Sequence, residues 1–160
     1  MSDTLQPRVK NPVSHFPEAT GHIQAIMKSL YASGVPQETM ELVHLRASQI
    51  NGCSVCVDGG ARSARRAGMS EERLHAVAAW REAPYYTEAE RSAIALAEAA
   101  TRLADQPDGV RDEVWDAAAK HFDERQISGI VLMIAMTNMF NRVNATTRQL
   151  AGPQPWEQSS

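Results

Sequence analysis

The stretch ASQINGCSVCVDGGARSARRAG, residues 47–68, decides how this chain is interpreted. It contains the two cysteines of the chain, Cys53 and Cys56, in a C-x-x-C arrangement. Two adjacent glycines, Gly59 and Gly60, follow where a helix should continue, although each glycine in a helix interior costs about 0.5–1 kcal/mol relative to alanine. The stretch therefore poses two questions: what the cysteine pair does, and why the glycines are tolerated.

The segments around this stretch have helical periodicity. Apolar residues recur at spacings of three and four from Met40 to Ile50, and the turn dipeptide Asn51-Gly52 then ends that helix. We predict that the next helix begins near Cys53. Other periodic segments predict helices over 18–32, from Ser70, from Thr87, over 110–118 and from Asp123 to Thr147.

The caps of three helices are also readable. Ser70 precedes two glutamates and is a predicted N-cap, which accepts a backbone hydrogen bond at a helix start. The pairs Thr87/Glu90 and Asp123/Gln126 have the spacing of a capping box. Because no segment alternates with period two, we predict an all-α fold.

The length of 160 residues is that of one domain. A chain of this size buries roughly 68–70% of its unfolded surface, so it needs neither a disulfide framework nor a structural metal to fold. We assign residues 1–15 to an extended N-terminal arm and residues 16–152 to a compact bundle of about six to seven helices. Residues 153–160 form a C-terminal tail.

Composition excludes several functional classes. The net charge of -3 comes from 16 basic and 19 acidic residues without a basic block, which disfavours nucleic-acid binding. The longest apolar-rich run, residues 127–140, is shorter than the ~18–20 residues that span a bilayer. The N-terminus lacks the apolar stretch of a signal peptide. We expect a cytoplasmic protein, where a C-x-x-C pair is more often catalytic or metal-binding than structural.

The cysteine pair has three interpretations. Cysteines at i and i+3 share a helix face, and a helix N-terminus lowers a thiol pKa from about 8.5 towards roughly 3.5–7.5, as a redox dithiol requires. A zinc site needs two further ligands, and the chain has neither a second C-x-x-C nor a pair of histidines at the usual spacing. Two inert buried thiols are the third possibility, and the spacing alone does not separate it from redox chemistry.

Glu41 and His44 are the candidate proton-transfer residues. They are three residues apart and therefore share one face of the helix that precedes the cysteines. Packed beside the dithiol, a carboxylate or an imidazole can accept a thiol proton. The alternative is a surface carboxylate and a structural or exposed histidine, and the pattern alone favours that alternative.

Residues 41–103 resemble the alkylhydroperoxidase D-like group of the carboxymuconolactone decarboxylase family. The block LRASQINGCxxC followed by AWRE is far more specific than a bare C-x-x-C, and residues 138–152 resemble the family's C-terminal stretch. The likeness covers most of residues 16–152. It implies an all-helical fold that assembles as trimers or hexamers, and peroxide reduction by the cysteine pair without metal, flavin or haem.

The resemblance also implies a role for each site residue. Cys56 matches the cysteine that attacks the peroxide, Cys53 the one that closes the disulfide, and Glu41 the glutamate that begins a proton relay. The family's relay histidine falls at Gly60, so the relay lacks its middle member, and a missing general base costs about 10²–10⁴ in rate. Three outcomes remain open. His44 or a water takes the place of the missing histidine, the helix N-terminus alone sustains slow thiol chemistry, or the protein has lost peroxidase activity.

The sequence therefore predicts a homo-oligomeric thiol oxidoreductase that reduces a hydroperoxide or a disulfide through a Cys53–Cys56 cycle. The family implies a thiol or lipoyl-bearing protein as the reductant. One alternative is a carboxymuconolactone decarboxylase-like enzyme acting on small organic acids, which the C-x-x-C pair disfavours. The other is a non-catalytic redox-sensing or binding module, which Gly60 keeps open.

Overall fold

A computed structural model describes residues 5–153, and within that range the chain forms seven α-helices and no strand. The helices are α1 (Pro17–Tyr31), α2 (Gln37–Ile50), α3 (Ser54–Arg66), α4 (Glu71–Ala76), α5 (Glu88–Thr101), α6 (Asp112–Ala119) and α7 (Glu124–Thr147). The predicted all-α fold is confirmed. Most of the tail predicted at 153–160 lies outside the described residues.

The predicted caps set the starts of three helices. Ser70 accepts a hydrogen bond from a backbone N–H in the first turn of α4. Thr87 and Glu90 form a capping box at the start of α5, and Asp123 and Gln126 form another at the start of α7. Each box satisfies two backbone donors that a helix start otherwise leaves unpaired.

The central helix is α2, which packs against α3, α5 and α7. Met40, Leu42 and Val43 on it have no exposed surface, because they point into two apolar clusters on opposite sides of the helix. One cluster joins α2 to α1, α5, α6 and α7, and the other joins it to α3, α4 and the segment that follows. Functional groups on α2 are therefore held by neighbours on several sides.

The last helix, α7, is half core and half surface. Ile130 and Met133 on it are fully buried, whereas Val131 is 37% exposed and Leu132 is 51% exposed. We predicted a core helix or an oligomer contact, and the buried half is confirmed as core. Within residues 5–153, no helix is long and apolar enough to cross a membrane.

Helices α2 and α3 form an antiparallel hairpin around Asn51-Gly52. Gly52 has a φ of +65°, a left-handed conformation that glycine adopts without strain. The N–H of Cys53 donates to the Ser48 carbonyl at 3.1 Å, which ties the start of α3 to the end of α2. Residues at successive turns of α2 therefore face residues at successive turns of α3.

The N-terminal arm lies across the end of α7. The N–H of Arg8 donates to the Thr147 carbonyl at 2.9 Å, and the Gln149 side chain donates to the Val9 carbonyl at 3.0 Å. We predicted an extended arm, but Pro12–His15 form a 3-10 turn, because Asn11 caps Val13 and proline suits the first turn of a helix. This turn packs against α1.

Candidate functional site

Cys53 and Cys56 are joined by a disulfide, with their Cα atoms 5.3 Å apart. Cys53 is the N-cap of α3, which confirms the predicted helix start near this residue, and Cys56 lies in the first helical turn. Cys53 is 1% exposed and Cys56 is 7% exposed. The pair therefore occupies the positive end of a helix dipole, and its two sulfurs differ in access.

A buried amide network lies beside Cys53. The Asn51 side chain donates to the Asn138 side-chain oxygen at 3.0 Å and to that of Asn141 at 2.9 Å. Asn141 in turn donates to the Ser48 hydroxyl at 3.1 Å. These four residues, the amide network, fasten the turn before Cys53 to α7. A buried polar network whose members are paired is rigid, so this side of the site is a fixed wall.

A cavity of about 530 Å³ lies on the other side, and Cys56 is part of its lining. Its walls come from the arm, α1, α2, α3 and α7, and include Val13, Ile23, Val55, Phe140 and Val143. Among the described residues that line this Cys56 cavity, none is an aspartate, glutamate, lysine or arginine. Its size and walls suit a small, largely apolar and uncharged organic molecule.

His44 borders the cavity and contacts the backbone of α3. Its Nε2 lies 3.3 Å from the Cys56 carbonyl oxygen, and its Nδ1 lies 3.2 Å from the Thr137 hydroxyl. A carbonyl only accepts, so we assign the hydrogen to Nε2, and Nδ1 then accepts from Thr137. Burial lowers the pKa of His44, while the nearby Glu41 carboxylate acts in the opposite direction. The imidazole is therefore neutral at pH 7.

Gly60 makes room for this imidazole. A Cβ at Gly60 would lie 2.7 Å from His44 Cδ2 and 3.1 Å from a methyl of Leu45, closer than atoms in a packed interior tolerate. A Cβ at Gly59 would meet only the Arg62 guanidinium, at 3.9 Å. The two glycines thus differ. Gly60 is required by the His44 ring, and Gly59 has no comparable steric reason.

Glu41 is buried one helical turn before His44. It is 1% exposed, and its Oε1 accepts hydrogen bonds from the Tyr31 hydroxyl at 2.9 Å and the Ser63 hydroxyl at 2.8 Å. Burial and the Glu41 carboxylate both raise the pKa of Tyr31, so its hydroxyl remains a donor. The alternative of a surface carboxylate is wrong. Ser63 faces Glu41 and Gly60 faces His44, so the hairpin sets these groups in consecutive layers.

Two polar residues beside the cysteine pair were not singled out from the sequence. Asn144 places its Nδ2 3.3 Å from Cys56 Sγ, and Thr137 bonds His44. Both belong to α7: Asn144 is 88 residues after Cys56, and Thr137 is 93 residues after His44. Asn144 lies within residues 138–152, which resemble the family's C-terminal stretch. That resemblance is the feature of the sequence that could have pointed to Asn144.

Other potential sites are occupied by structural contacts. Among the described residues, no group of three or more His, Cys, Asp or Glu side chains could hold a metal ion. A separate pocket of about 410 Å³ lies at the start of α2. The carboxylates of Glu38 and Glu90 in its wall are both paired with Arg73. The Cys56 cavity is therefore the candidate functional site.

The fold and this cysteine site define the class of protein. The chain belongs to the carboxymuconolactone decarboxylase family, whose model matches residues 17–99. The C-x-x-C pair places it in the alkylhydroperoxidase D-like group of that family, with Gly60 at the position of the usual histidine.

Relatives and solved structures agree with this assignment. Uncharacterized protein YdfG of Bacillus subtilis (strain 168) is 33% identical over 128 residues, which are 80% of this chain and 86% of YdfG. A structure from Agrobacterium tumefaciens, of a protein of unknown function provisionally named as the antioxidant defence protein AhpD, has a TM-score of 0.84 and 32% identity. It covers 93% of this chain and 100% of that one. The debrominase Bmp8, with a TM-score of 0.77 and 24% identity over 87% of this chain and 74% of its own, shares the fold.

Proposed function

We propose that this protein is a thiol-dependent oxidoreductase that reduces hydroperoxides, or disulfides, through a Cys53–Cys56 cycle. The observation that carries the proposal is the unequal access of the two sulfurs at one helix N-terminus. Cys56 lines a cavity of about 530 Å³, whereas Cys53 is 1% exposed beside the amide network. A substrate in the cavity meets Cys56 first, and Cys53 is held within bonding distance behind it.

The chemistry balances with two thiols and one hydroperoxide. The Cys56 thiolate attacks the distal peroxide oxygen, the O–O bond breaks, and the alcohol leaves with a proton. Cys56 is then a sulfenic acid, and the Cys53 sulfur attacks it with loss of water to form the disulfide. Two electrons have passed from the dithiol to the hydroperoxide. A dithiol donor, such as a lipoyl-bearing protein, returns two electrons by thiol–disulfide exchange.

We infer that Glu41 and His44 manage the thiol proton. The hairpin sets Glu41, His44 and the first turn of α3 in consecutive layers, each about 4.5 Å further along α2. The His44 ring fills the space beside Gly60, where the family's histidine would otherwise stand. Because Nε2 already donates to the Cys56 carbonyl, the neutral imidazole accepts the proton at Nδ1, by way of the Thr137 hydroxyl, and the buried carboxylate stabilises the imidazolium that results. The imidazole is thus supplied by α2 instead of α3.

The test is turnover with a defined oxidant and reductant. The reduced protein is mixed with tert-butyl hydroperoxide, and thiols and tert-butanol are quantified, with and without dihydrolipoamide. Without the reductant, we expect one molecule of tert-butanol for every two thiols lost. With dihydrolipoamide, we expect repeated turnover. Cys56→Ser should consume no hydroperoxide, and Cys53→Ser one equivalent, leaving a sulfenic acid that dimedone traps. A reduced wild-type protein that consumes neither this hydroperoxide nor a small disulfide overturns the proposal.

We also infer that the protein is a homo-oligomer, with the trimer or hexamer implied by the family. The supporting observation is the exposed apolar strip of α7 formed by Val131, Leu132 and Ala135. Contiguous exposed apolar surface of this kind marks contact sites. Sedimentation equilibrium should give three or six chains for the wild type and a smaller assembly for Leu132→Glu. A monomeric wild type would contradict the inference.

A further inference from the structure

We propose that Asn144 is a catalytic residue, whose side-chain amide donates a hydrogen bond to Cys56 Sγ and stabilises the reactive thiolate. The inference deepens the proposed function and rests on it, because it adds a residue to the same site. It assigns a role to a side chain from the far end of the chain that touches the reacting sulfur.

The geometry and the chemistry of sulfur define the direction of this hydrogen bond. Asn144 Nδ2 lies 3.3 Å from Cys56 Sγ. A sulfur in a disulfide or a thiolate carries no hydrogen and only accepts, so the NH₂ group, and not the carbonyl, must face it. A donor that meets a neutral sulfur in the disulfide meets a full negative charge after reduction. Hydrogen bonds to charged groups are roughly twice as strong as neutral ones.

The backbone of Asn144 is held in place independently of the sulfur. Arg148 adopts a left-handed conformation with φ 55°, and the N–H of Gln149 donates to the Asn144 carbonyl at 2.9 Å. This bond and that from Arg148 to Ala145, at 3.2 Å, close the C-terminus of α7 as a Schellman motif. The amide is therefore presented to the sulfur by a closed helix end, as preorganised stabilisation requires.

The surroundings leave the amide as a main source of thiolate stabilisation. The arm, α1 and α7 contribute no charged side chain to the described lining of the Cys56 cavity. From α2, the His44 ring is neutral at pH 7 because burial lowers its pKa, and the Glu41 carboxylate lies one turn further away. On α3, Asp58 is paired with Arg62. A neutral donor thus acts on Cys56 together with the N-terminus of α3.

The test measures Cys56 alone. Cys53→Ser leaves Cys56 as the one cysteine of the chain, because the sequence contains two. The rate of alkylation by iodoacetamide is followed against pH in this background, with Asn144→Leu and Asn144→Asp, which are similar in size to asparagine and lack the NH₂. Thr146→Leu is the matched control, because it places leucine on the exposed side of the same helical turn.

We expect Asn144→Leu to move the midpoint of the pH profile upward by about one pH unit, which lowers the alkylation rate about tenfold at pH values below both midpoints. Asn144→Asp should move it further, because its carboxylate repels the thiolate. Thr146→Leu should leave the midpoint unchanged. A midpoint for Asn144→Leu equal to the parent's overturns the proposal, and so does an equal shift in Thr146→Leu. A purely structural role would lower the melting temperature and leave the midpoint in place.

A second measurement covers variants that do not fold. In the reduced Cys53→Ser protein, the side-chain NH₂ resonances of Asn144 should titrate with the Cys56 midpoint, and resonances that do not move overturn the proposal. Neither readout uses a hydroperoxide. If the wild type fails to reduce hydroperoxides and disulfides while the midpoint still shifts with Asn144→Leu, the proposed function falls and the contact with the thiolate stands.

Discussion

The two sulfurs of one disulfide lie in opposite kinds of surroundings. On one side, Cys53 is 1% exposed beside the amide network that ties its turn to α7. On the other, Cys56 opens onto a cavity of about 530 Å³ whose polar groups are His44 and Asn144 among others. We call these the network side and the cavity side. A resolving cysteine needs a fixed position, whereas an attacking cysteine needs access, and the structure separates these requirements by one helical turn.

The largest expected effect is at Glu41, which is buried one helical turn from His44 of the cavity side. Glu41→Gln retains a side-chain oxygen that accepts from Tyr31 and Ser63 but removes the carboxylate. The rate of Cys56 oxidation by tert-butyl hydroperoxide should fall about 10²–10⁴-fold, the usual contribution of a general base, with little change in unfolding free energy. Stopped-flow thiol oxidation measures the rate, and Glu113→Gln on the exposed face of α6 is the control. A rate within threefold of the wild type would remove Glu41 from the proton path.

The next effect is on stability, at the network side. Asn51→Ala leaves the buried oxygen of Asn141 without its donor and leaves that of Asn138 with only the longer bond from Arg142, and an unmade bond of this kind costs about 1–3 kcal/mol. We expect a loss of about 2–4 kcal/mol in unfolding free energy, measured by urea denaturation. Asn144→Leu on the cavity side should lose about 1 kcal/mol or less. Equal losses for the two variants would erase the distinction between the two sides.

The adjacent glycines give a matched pair with opposite expected signs. Gly60→Ala forces its Cβ against His44 and Leu45 and should destabilise the protein by about 1–3 kcal/mol. Gly59→Ala has open space and should stabilise it by about 0.5–1 kcal/mol through helix propensity. Urea denaturation measures both. The double variant with His44→Ala and Gly60→Ala should lose less unfolding free energy than the two single variants lose together, because removing the imidazole removes the clash with the new Cβ. If both glycine variants have the same sign, the steric account of Gly60 fails.

The smallest effect is the pH dependence that His44 imposes. Burial lowers its pKa in the folded state, so the unfolded chain binds its proton first as the pH falls. Stability is therefore full above the ordinary histidine pKa of about 6.5 and declines below it, by at most about 1.4 kcal/mol per pH unit.

Urea midpoints between pH 7.5 and 5.5 measure this slope. His44→Gln should flatten it, whereas His75→Gln, whose side chain is 76% exposed, should leave it intact. A slope that survives in His44→Gln would assign the acid sensitivity to another group.

The sequence alone determined the helices and their starts. Seven helices, the start of one helix near Cys53 and both capping boxes follow from patterns within a few residues of each other, and all are confirmed within residues 5–153. These features are predictable because helix periodicity and caps depend on local backbone hydrogen bonds. The 3-10 turn at Pro12–His15 escaped prediction, since a short turn leaves no periodic trace.

Only the tertiary structure decided which side chains meet at Cys56. The burial of Glu41 depends on Tyr31 and Ser63, which come from two other helices. Asn144 reaches the sulfur from a helix 88 residues further along the chain. The sequence shows Gly60 where the family's histidine is expected, and the packing of α2 on α3 shows the His44 imidazole beside that position. Contacts between helices depend on how their surfaces interlock, which local patterns do not encode.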